Sequence, residues 1–231
     1  GRVDEAEKVV RSFEQSAGVE PQASRPLPPA SASGPAGLWG SALRVRTFGI
    51  WAVWFFVNLS YYGAFIWIPT ILDERLAAMT KSFEYTLIIT LAQLPGYAVA
   101  AVLIEVWGRR STLATFLVGS AAAAWFFGQA ATGTELLTAG CALSFFNLGA
   151  WGALYAITPE IYPTSVRGAG AGAAAGFGRV ASIIAPFAVP FLLAASWGGQ
   201  GLVFSIFAAA FLLAAGAAFL LPERRGAELT E

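Results

Sequence analysis

One short segment places an acid and a base between two long apolar runs. Residues 158–168 read Thr-Pro-Glu-Ile-Tyr-Pro-Thr-Ser-Val-Arg-Gly, so Glu160 lies seven residues before Arg167. A soluble loop carries such charges at little cost, whereas a turn between two membrane helices has few reasons to carry them. The pair favours a gate that opens and closes at one end of a membrane bundle. The alternative is that these charges only set membrane topology.

A second charged turn, Glu-Val-Trp-Gly-Arg-Arg, occupies residues 105–110. It brings a carboxylate at the end of an apolar run next to a glycine turn and two arginines. Partly buried ion pairs are costly to break one partner at a time. A cluster of them between helix ends therefore predicts a latch that separates two conformations. The predicted salt-bridge network comprises Glu105, Arg109, Arg110, Glu160 and Arg167.

The composition excludes most kinds of catalytic site. Hydrophobic residues make up 57% of the chain and charged residues 12%, against about 25% charged residues in soluble domains. The formal net charge is zero, which gives no reason to expect nucleic acid as a partner. Histidine is absent and Cys141 is the single cysteine. We therefore predict no catalytic residue, no metal and no cofactor, and we do not expect an enzyme.

Six apolar stretches are long enough to cross a bilayer, which takes about 20 helical residues. The expected spans are residues 48–72, 85–104, 111–131, 136–158, 169–195 and 202–221. Together they predict an all-α membrane protein, with a six-helix transmembrane bundle over residues 43–222 and the lipid bilayer as its surroundings.

Three further segments flank the predicted bundle. Residues 1–18 alternate apolar and charged positions at helical spacing, which predicts an amphipathic cytoplasmic helix. Residues 19–42 are rich in proline, serine, alanine and glycine, which is typical of a flexible linker. Residues 223–231 are expected to form a cytoplasmic tail.

Orientation follows from the distribution of arginine and lysine. One set of connections carries Arg44, Arg46, Arg109, Arg110, Arg167, Arg224 and Arg225, whereas the other set holds only Arg75 and Lys81. The alternation is kept across all six spans. Both ends of the chain are therefore expected to face the cytoplasm.

Arg179 is a cation at membrane depth. It lies about eleven residues into the fifth span, which at ~1.5 Å per residue is roughly 16 Å deep. A charge near the bilayer centre costs at least ~2.5 kcal/mol, so it must face the protein interior or a cavity. The functional interpretation is a counter-charge for a substrate carboxylate. The alternative is a structural ion pair, with Glu105 or with an acid outside this chain.

A few other polar and aromatic side chains at membrane depth are candidates for binding substrate. Asn147, Trp151 and Tyr155 share one helix face at i, i+4 and i+8. An amide and two aromatic rings can stack on a flat ring and bond its polar edge. Helix–helix hydrogen bonding and interfacial anchoring are the alternatives. The remaining candidates are Asn58, Tyr62 and Gln93.

The two charged turns, spaced by two helices, resemble the second half of a major facilitator superfamily transporter, in its sugar-porter-like branches. Residues 1–6 resemble the start of that superfamily's central loop helix, and residues 221–226 its Pro-Glu-Thr-x-Gly ending. The resemblance implies that the six spans are helices seven to twelve of a twelve-helix fold. It also implies a partner, the N-terminal six-helix half, and a substrate bound between the halves near the membrane midplane.

Residues 61–69, 144–152 and 176–179 resemble the bacterial metabolite–proton symporters related to niacin transporters, synaptic-vesicle-glycoprotein-like proteins and organic ion transporters. Sugar porters usually have tryptophan where this chain has Tyr155, which argues against a hexose carrier. The resemblance implies secondary transport of a small anionic, aromatic metabolite with protons in a bacterial inner membrane. A sugar porter, a uniporter of a neutral solute and a non-transporting receptor or assembly subunit remain alternatives.

Overall fold

A computed structural model of the chain describes residues 3–19, 35–76, 79–195 and 198–223. It divides into two compact units, Gly1–Ala32 and Ser33–Glu231. Most of the predicted linker, residues 20–34, and the predicted tail after residue 223 lie outside the described residues.

The first unit contains helix α1, Val3–Ala17. Asp4 and Glu5 lie in its first turn, where negative charge is favourable to the helix dipole. Glu7 and Arg11 form an ion pair at 3.9 Å, one turn apart. Apolar side chains of the helix, including Phe13, are exposed.

Among the residues that the structure describes, the second unit contains a short 3₁₀ helix, Pro35–Trp39, and seven α-helices. Their bounds are α2 Arg44–Leu76, α3 Met79–Leu91, α4 Gln93–Trp107, α5 Arg109–Gln129, α6 Gly133–Glu160, α7 Arg167–Ala194 and α8 Gln200–Ala218.

Six stretches of these helices are long and apolar enough to cross a membrane, and α3 and α4 together supply one of them, Lys81–Trp107. The prediction of six spans is confirmed. Most of the helices extend beyond the predicted apolar stretches, because backbone hydrogen bonding continues past the edge of an apolar run. The first span, for example, runs from Arg44 to Leu76.

Neighbouring helices follow the order α7, α2, α8, α5, α6 and α4 across the bundle. The helices at the two ends of this order are the least covered. In the most apolar 18-residue stretch of each span, only 22% of the residues are buried in α7 and in the span formed by α3 and α4, against 61% in α5 and α6. One flank of the six-helix bundle, formed by α4 and α7, is therefore open.

Small residues allow the helices to approach closely. A Cβ at Gly96 of α4 would overlap the backbone carbonyl of Phe145 in α6. A Cβ at Gly178 of α7 would lie 2.8 Å from the Asn58 amide nitrogen and 3.1 Å from the Trp54 carbonyl oxygen of α2. These contacts fix the distance of α4 from α6 and of α7 from α2.

The first prediction concerns the α4–α6 contact. Gly96→Ala should lower the stability of the bundle by about 1–3 kcal/mol, because a methyl group must displace backbone. Gly216→Ala in α8 is the matched control, since no atom lies within 4 Å of its added Cβ. Thermal unfolding in detergent measures both. Equal stability of the two variants would contradict the close approach.

Candidate substrate pocket and charged gate

Arg109 joins three helix ends at the arginine-rich end of the bundle, the end that carries Gly108, Glu160 and Arg167. Arg109 lies at the start of α5, and its guanidinium is 3.2 Å from Glu160 at the end of α6 and 3.3 Å from Glu105 near the end of α4. The side chains of Arg109 and Glu160 are only 19% and 22% exposed, whereas Glu105 is 72% exposed. The Arg109–Glu160 pair is therefore the shielded one, and water screens the other.

Glu223 binds the N-terminus of α5. Its carboxylate accepts hydrogen bonds from the backbone N–H groups of Arg109 and Arg110, both at 3.1 Å, and of Ser111 at 3.4 Å. These are the unpaired donors that every helix start presents, at the positive end of its dipole. The carboxylate thereby attaches the segment after α8 to α5.

Gly108 makes this contact possible for two reasons. Its φ of +95° lies in the region that favours glycine. A Cβ there would also come within 2.6 Å of the Glu223 carboxylate carbon. Sequence reasoning had given Glu223 no role. The available signal was an acid close after the last span, opposite a helix that starts directly after a glycine turn.

The other two arginines of the predicted network make different contacts. Arg110 donates to the Leu221 carbonyl at 3.3 Å, and Arg167 donates to the Tyr162 carbonyl at 3.4 Å. Neither arginine forms an ion pair within the described residues. Glu160 is thus paired with Arg109 instead of Arg167.

The last turn of α6 and the segment after it are also hydrogen-bonded to α2. Trp54 donates to the Thr158 hydroxyl at 3.0 Å, and Tyr162 donates to the Thr47 hydroxyl at 3.3 Å. Thr47 in turn donates to the Leu38 carbonyl at 2.9 Å. Burial raises the pKa of the Tyr162 phenol above its ordinary value, so it remains a neutral hydrogen-bonding group.

A pocket of about 150 Å³ lies where α2, α4, α6 and α7 converge. Aromatic rings form most of its wall, with one aliphatic side chain and one cation. The lining residues are Tyr61, Tyr62, Tyr97, Leu148, Trp151, Tyr155 and Arg179.

Arg179 supplies the positive charge of this pocket. Its Nη1 donates to the Tyr62 hydroxyl at 2.8 Å, and its guanidinium carbon lies 6.0 Å from the centre of the Tyr62 ring. Arg179 forms no ion pair with any residue that the structure describes. The alternative pairing with Glu105 is not formed, because Glu105 contacts Arg109.

Trp151 is the centre of the aromatic wall. It stacks on Tyr155 with centroids 5.6 Å apart, and it meets Trp54 and Tyr61 edge to face, also at 5.6 Å. Only 5% of Trp151 is exposed, whereas Tyr155 is 55% exposed. The wall therefore runs from the core of the bundle to its surface.

The structure brings four predicted candidates, Arg179, Trp151, Tyr155 and Tyr62, into one pocket. It adds Tyr61, Tyr97 and Leu148, which sequence reasoning had missed. The face of α6 was visible from its spacing, but the spacing does not show which residues of α2 and α4 meet that face.

The three amide candidates do not belong to the pocket lining. Asn58 and Asn147 are fully buried, and Gln93 is the first residue of α4. The Asn58 amide nitrogen donates to the Trp54 carbonyl at 2.7 Å. The Asn58 oxygen and both polar side-chain atoms of Asn147 have no hydrogen-bond partner among the described residues.

Comparison with known proteins places this architecture in a family. The model of the sugar (and other) transporter family matches residues 1–231, the whole chain. The chain belongs to this family of the major facilitator superfamily. It is an integral, multi-pass membrane protein, and its six spans are one half of a twelve-helix major facilitator fold. The family is one of transporters and not of enzymes, and the two NiaP relatives described next carry transporter names.

Three relatives illustrate the range of similarity. The niacin transporter NiaP of Acinetobacter baylyi is 42% identical over 226 residues, covering 96% of this chain and 51% of that protein. The putative niacin/nicotinamide transporter NiaP of Bacillus subtilis is 53% identical over 162 residues, covering 70% and 40%. A synaptic vesicle 2-related protein of Xenopus laevis is 30% identical over 216 residues, covering 84% and 39%. The chain thus spans about half the length of the curated relatives it matches.

The second prediction concerns the contact between Glu223 and the N-terminus of α5. Glu223→Gln should lower stability by about 0.5–1 kcal/mol at low ionic strength, because a neutral amide interacts more weakly with a helix N-terminus. The loss should shrink at high salt. Thermal unfolding at two salt concentrations measures it, with the exposed Glu84→Gln as control. A loss of stability independent of salt would argue against the charge–dipole interaction.

Proposed function

We propose that the chain is the C-terminal half of a secondary transporter that moves a small aromatic carboxylate, with protons, by alternating access. The observation that carries this proposal is Arg179, a cation at membrane depth that faces an aromatic pocket and has no anionic partner among the described residues. A guanidinium and a carboxylate form strong charge-assisted hydrogen bonds. Substrate would supply the missing anion.

The volume of the pocket and the side chains of its wall suit a substrate with one aromatic ring. A cavity of about 150 Å³ with apolar walls holds benzene, and the pocket volume is about the same. Trp151 and Tyr155 present ring faces and edges that favour stacked or edge-to-face contacts. Relatives of the chain bear the names of niacin transporters, and niacin is an aromatic carboxylate.

The open flank of α4 and α7 supports the N-terminal six-helix half as partner. Transporters of this superfamily bind substrate between halves, near the midplane, and the pocket draws Tyr97 from α4 and Arg179 from α7.

We place the arginine-rich end and both termini in the cytoplasm of a bacterium, with the bundle in the inner membrane. The helices described here carry no acid at mid-membrane depth, so we assign the proton carrier to the other half.

We further propose that the Arg109–Glu160 pair is a gate that holds one conformation of the transporter. It connects the ends of α5 and α6 and is shielded from water. Release of a shielded pair is slow unless the other conformation supplies new partners. Arg110 and Arg167, at the same end, are cations that could pair with a released Glu160, while Glu105 remains a partner for Arg109.

The third prediction tests the substrate site. In the full-length transporter, Arg179→Gln should lower uptake of pyridine-3-carboxylate at least about tenfold, the equivalent of one charge-assisted hydrogen bond. Arg179→Lys should retain part of the uptake, because it keeps the charge. Arg75→Gln, at the exposed end of α2, is the control. If Arg179→Gln left uptake unchanged, a role of Arg179 in substrate binding would be excluded.

The fourth prediction tests the gate. Glu160→Gln should slow transport several-fold while equilibrium binding of substrate is kept, because the change alters the balance of conformations and not the pocket. Glu105→Gln should have a smaller effect, since Glu105 is largely exposed. Counterflow rates and equilibrium binding measure the two quantities. A loss of affinity with an unchanged rate would refute the gate.

A further inference from the structure

One face of α6 carries a line of buried polar atoms that have no partner among the described residues. They are the Ser144 hydroxyl, both polar atoms of the Asn147 amide and the indole N–H of Trp151. The three residues lie at i, i+3 and i+7, within about 10 Å along the helix. Buried polar groups are almost always hydrogen-bonded, so a line of exceptions points to a ligand.

The amide of Asn58 in α2 is a second buried polar group near this line of α6. Trp54 and Tyr61 of α2 both contact Trp151, and Asn58 lies between them on the same helix. Asn58 is therefore level with Trp151, and Asn147 lies one turn beyond. Amides in membrane bundles usually bond to a neighbouring helix. Asn58 bonds instead to its own backbone, and its oxygen has no described partner.

The polar line begins at the substrate pocket. Trp151 lines the pocket while its N–H belongs to the line, and Asn147, which is outside the lining, lies one turn before Trp151 on the same helix face. Arg179 is exposed, whereas Asn147 is fully buried. The region thus has a charged outer side and an uncharged, hydrogen-bonding inner side.

We propose that Asn147 and the Trp151 N–H bind a hydrogen-bond acceptor in the substrate's ring, and so select a heteroaromatic carboxylate over a purely carbocyclic one. This inference rests on the proposed function, because it assumes that Arg179 binds the carboxylate. The Asn147 amide N–H and the indole N–H are both donors, and a pyridine nitrogen is an acceptor at neutral pH. A carbocyclic ring would place a C–H edge against these donors and leave them unpaired. The site would therefore discriminate against a carbocyclic ligand.

The test compares two probes of the same shape and charge, pyridine-3-carboxylate and benzoate, in proteoliposomes with the full-length transporter. The wild-type protein should prefer the pyridine, and Asn147→Leu should reduce this preference about two- to tenfold, the equivalent of one net hydrogen bond. Asn147→Ser should be intermediate. Ser120→Ala is the control, because that buried hydroxyl bonds within α5 to the Phe116 carbonyl.

The ratio of the two probes separates recognition from folding, since a loss of folded protein lowers both equally. Where uptake of a variant is too low, equilibrium binding of each probe to the purified protein gives the same ratio. An unchanged ratio in Asn147→Leu would overturn this inference and leave the proposed function intact. A wild-type transporter that takes up neither probe, or an Arg179→Gln variant that takes up both normally, would overturn the proposed function itself.

Discussion

The first turn of α5 is the point on which the arginine-rich end of the bundle depends. Its free N–H groups bind Glu223, and the Arg109 guanidinium binds Glu105 and Glu160. One helix start therefore holds the ends of α4 and α6 and the segment after α8. Two of these helices also carry pocket walls, since Tyr97 lies on α4 and Trp151 on α6. A change of charge pairing at α5 consequently acts on helices that shape the pocket.

The core and the pocket obey different physical rules. In the core, glycines such as Gly96 bring helix backbones into contact, and packing alone fixes the distances. Around the pocket the chain keeps features that reduce stability, namely the exposed cation of Arg179 and the amide of Asn147, which has no hydrogen-bond partner among the described residues. Proteins violate local rules in this way chiefly at functional sites. The contrast is a reason to regard the pocket as a binding site and not as a packing defect.

The sequence predicted the parts of this structure that depend on a single segment. Six apolar runs of sufficient length predicted six spans, and the depth of Arg179 predicted a cation facing a cavity or the protein interior. The sequence of a single segment carries no information about how each helix is rotated relative to its neighbours. The contribution of Tyr97 to the pocket and the pairing of Glu160 with Arg109 depend on those rotations. The role of Glu223 was missed for the same reason, because its partners are more than a hundred residues away.

Helix α6 connects the pocket to the proposed gate, the Arg109–Glu160 pair. Trp151 and Glu160 lie nine residues apart on it, about 13.5 Å along the helix axis, and Pro159 lies in the last turn before Glu160. The same segment is held to α2 by the Trp54–Thr158 hydrogen bond, next to the Trp54–Trp151 ring contact. If α6 tilts as a unit, a movement of Trp151 against a bound ring would also move Glu160. Coupling of this kind would need no path through side chains, only a second position of the helix.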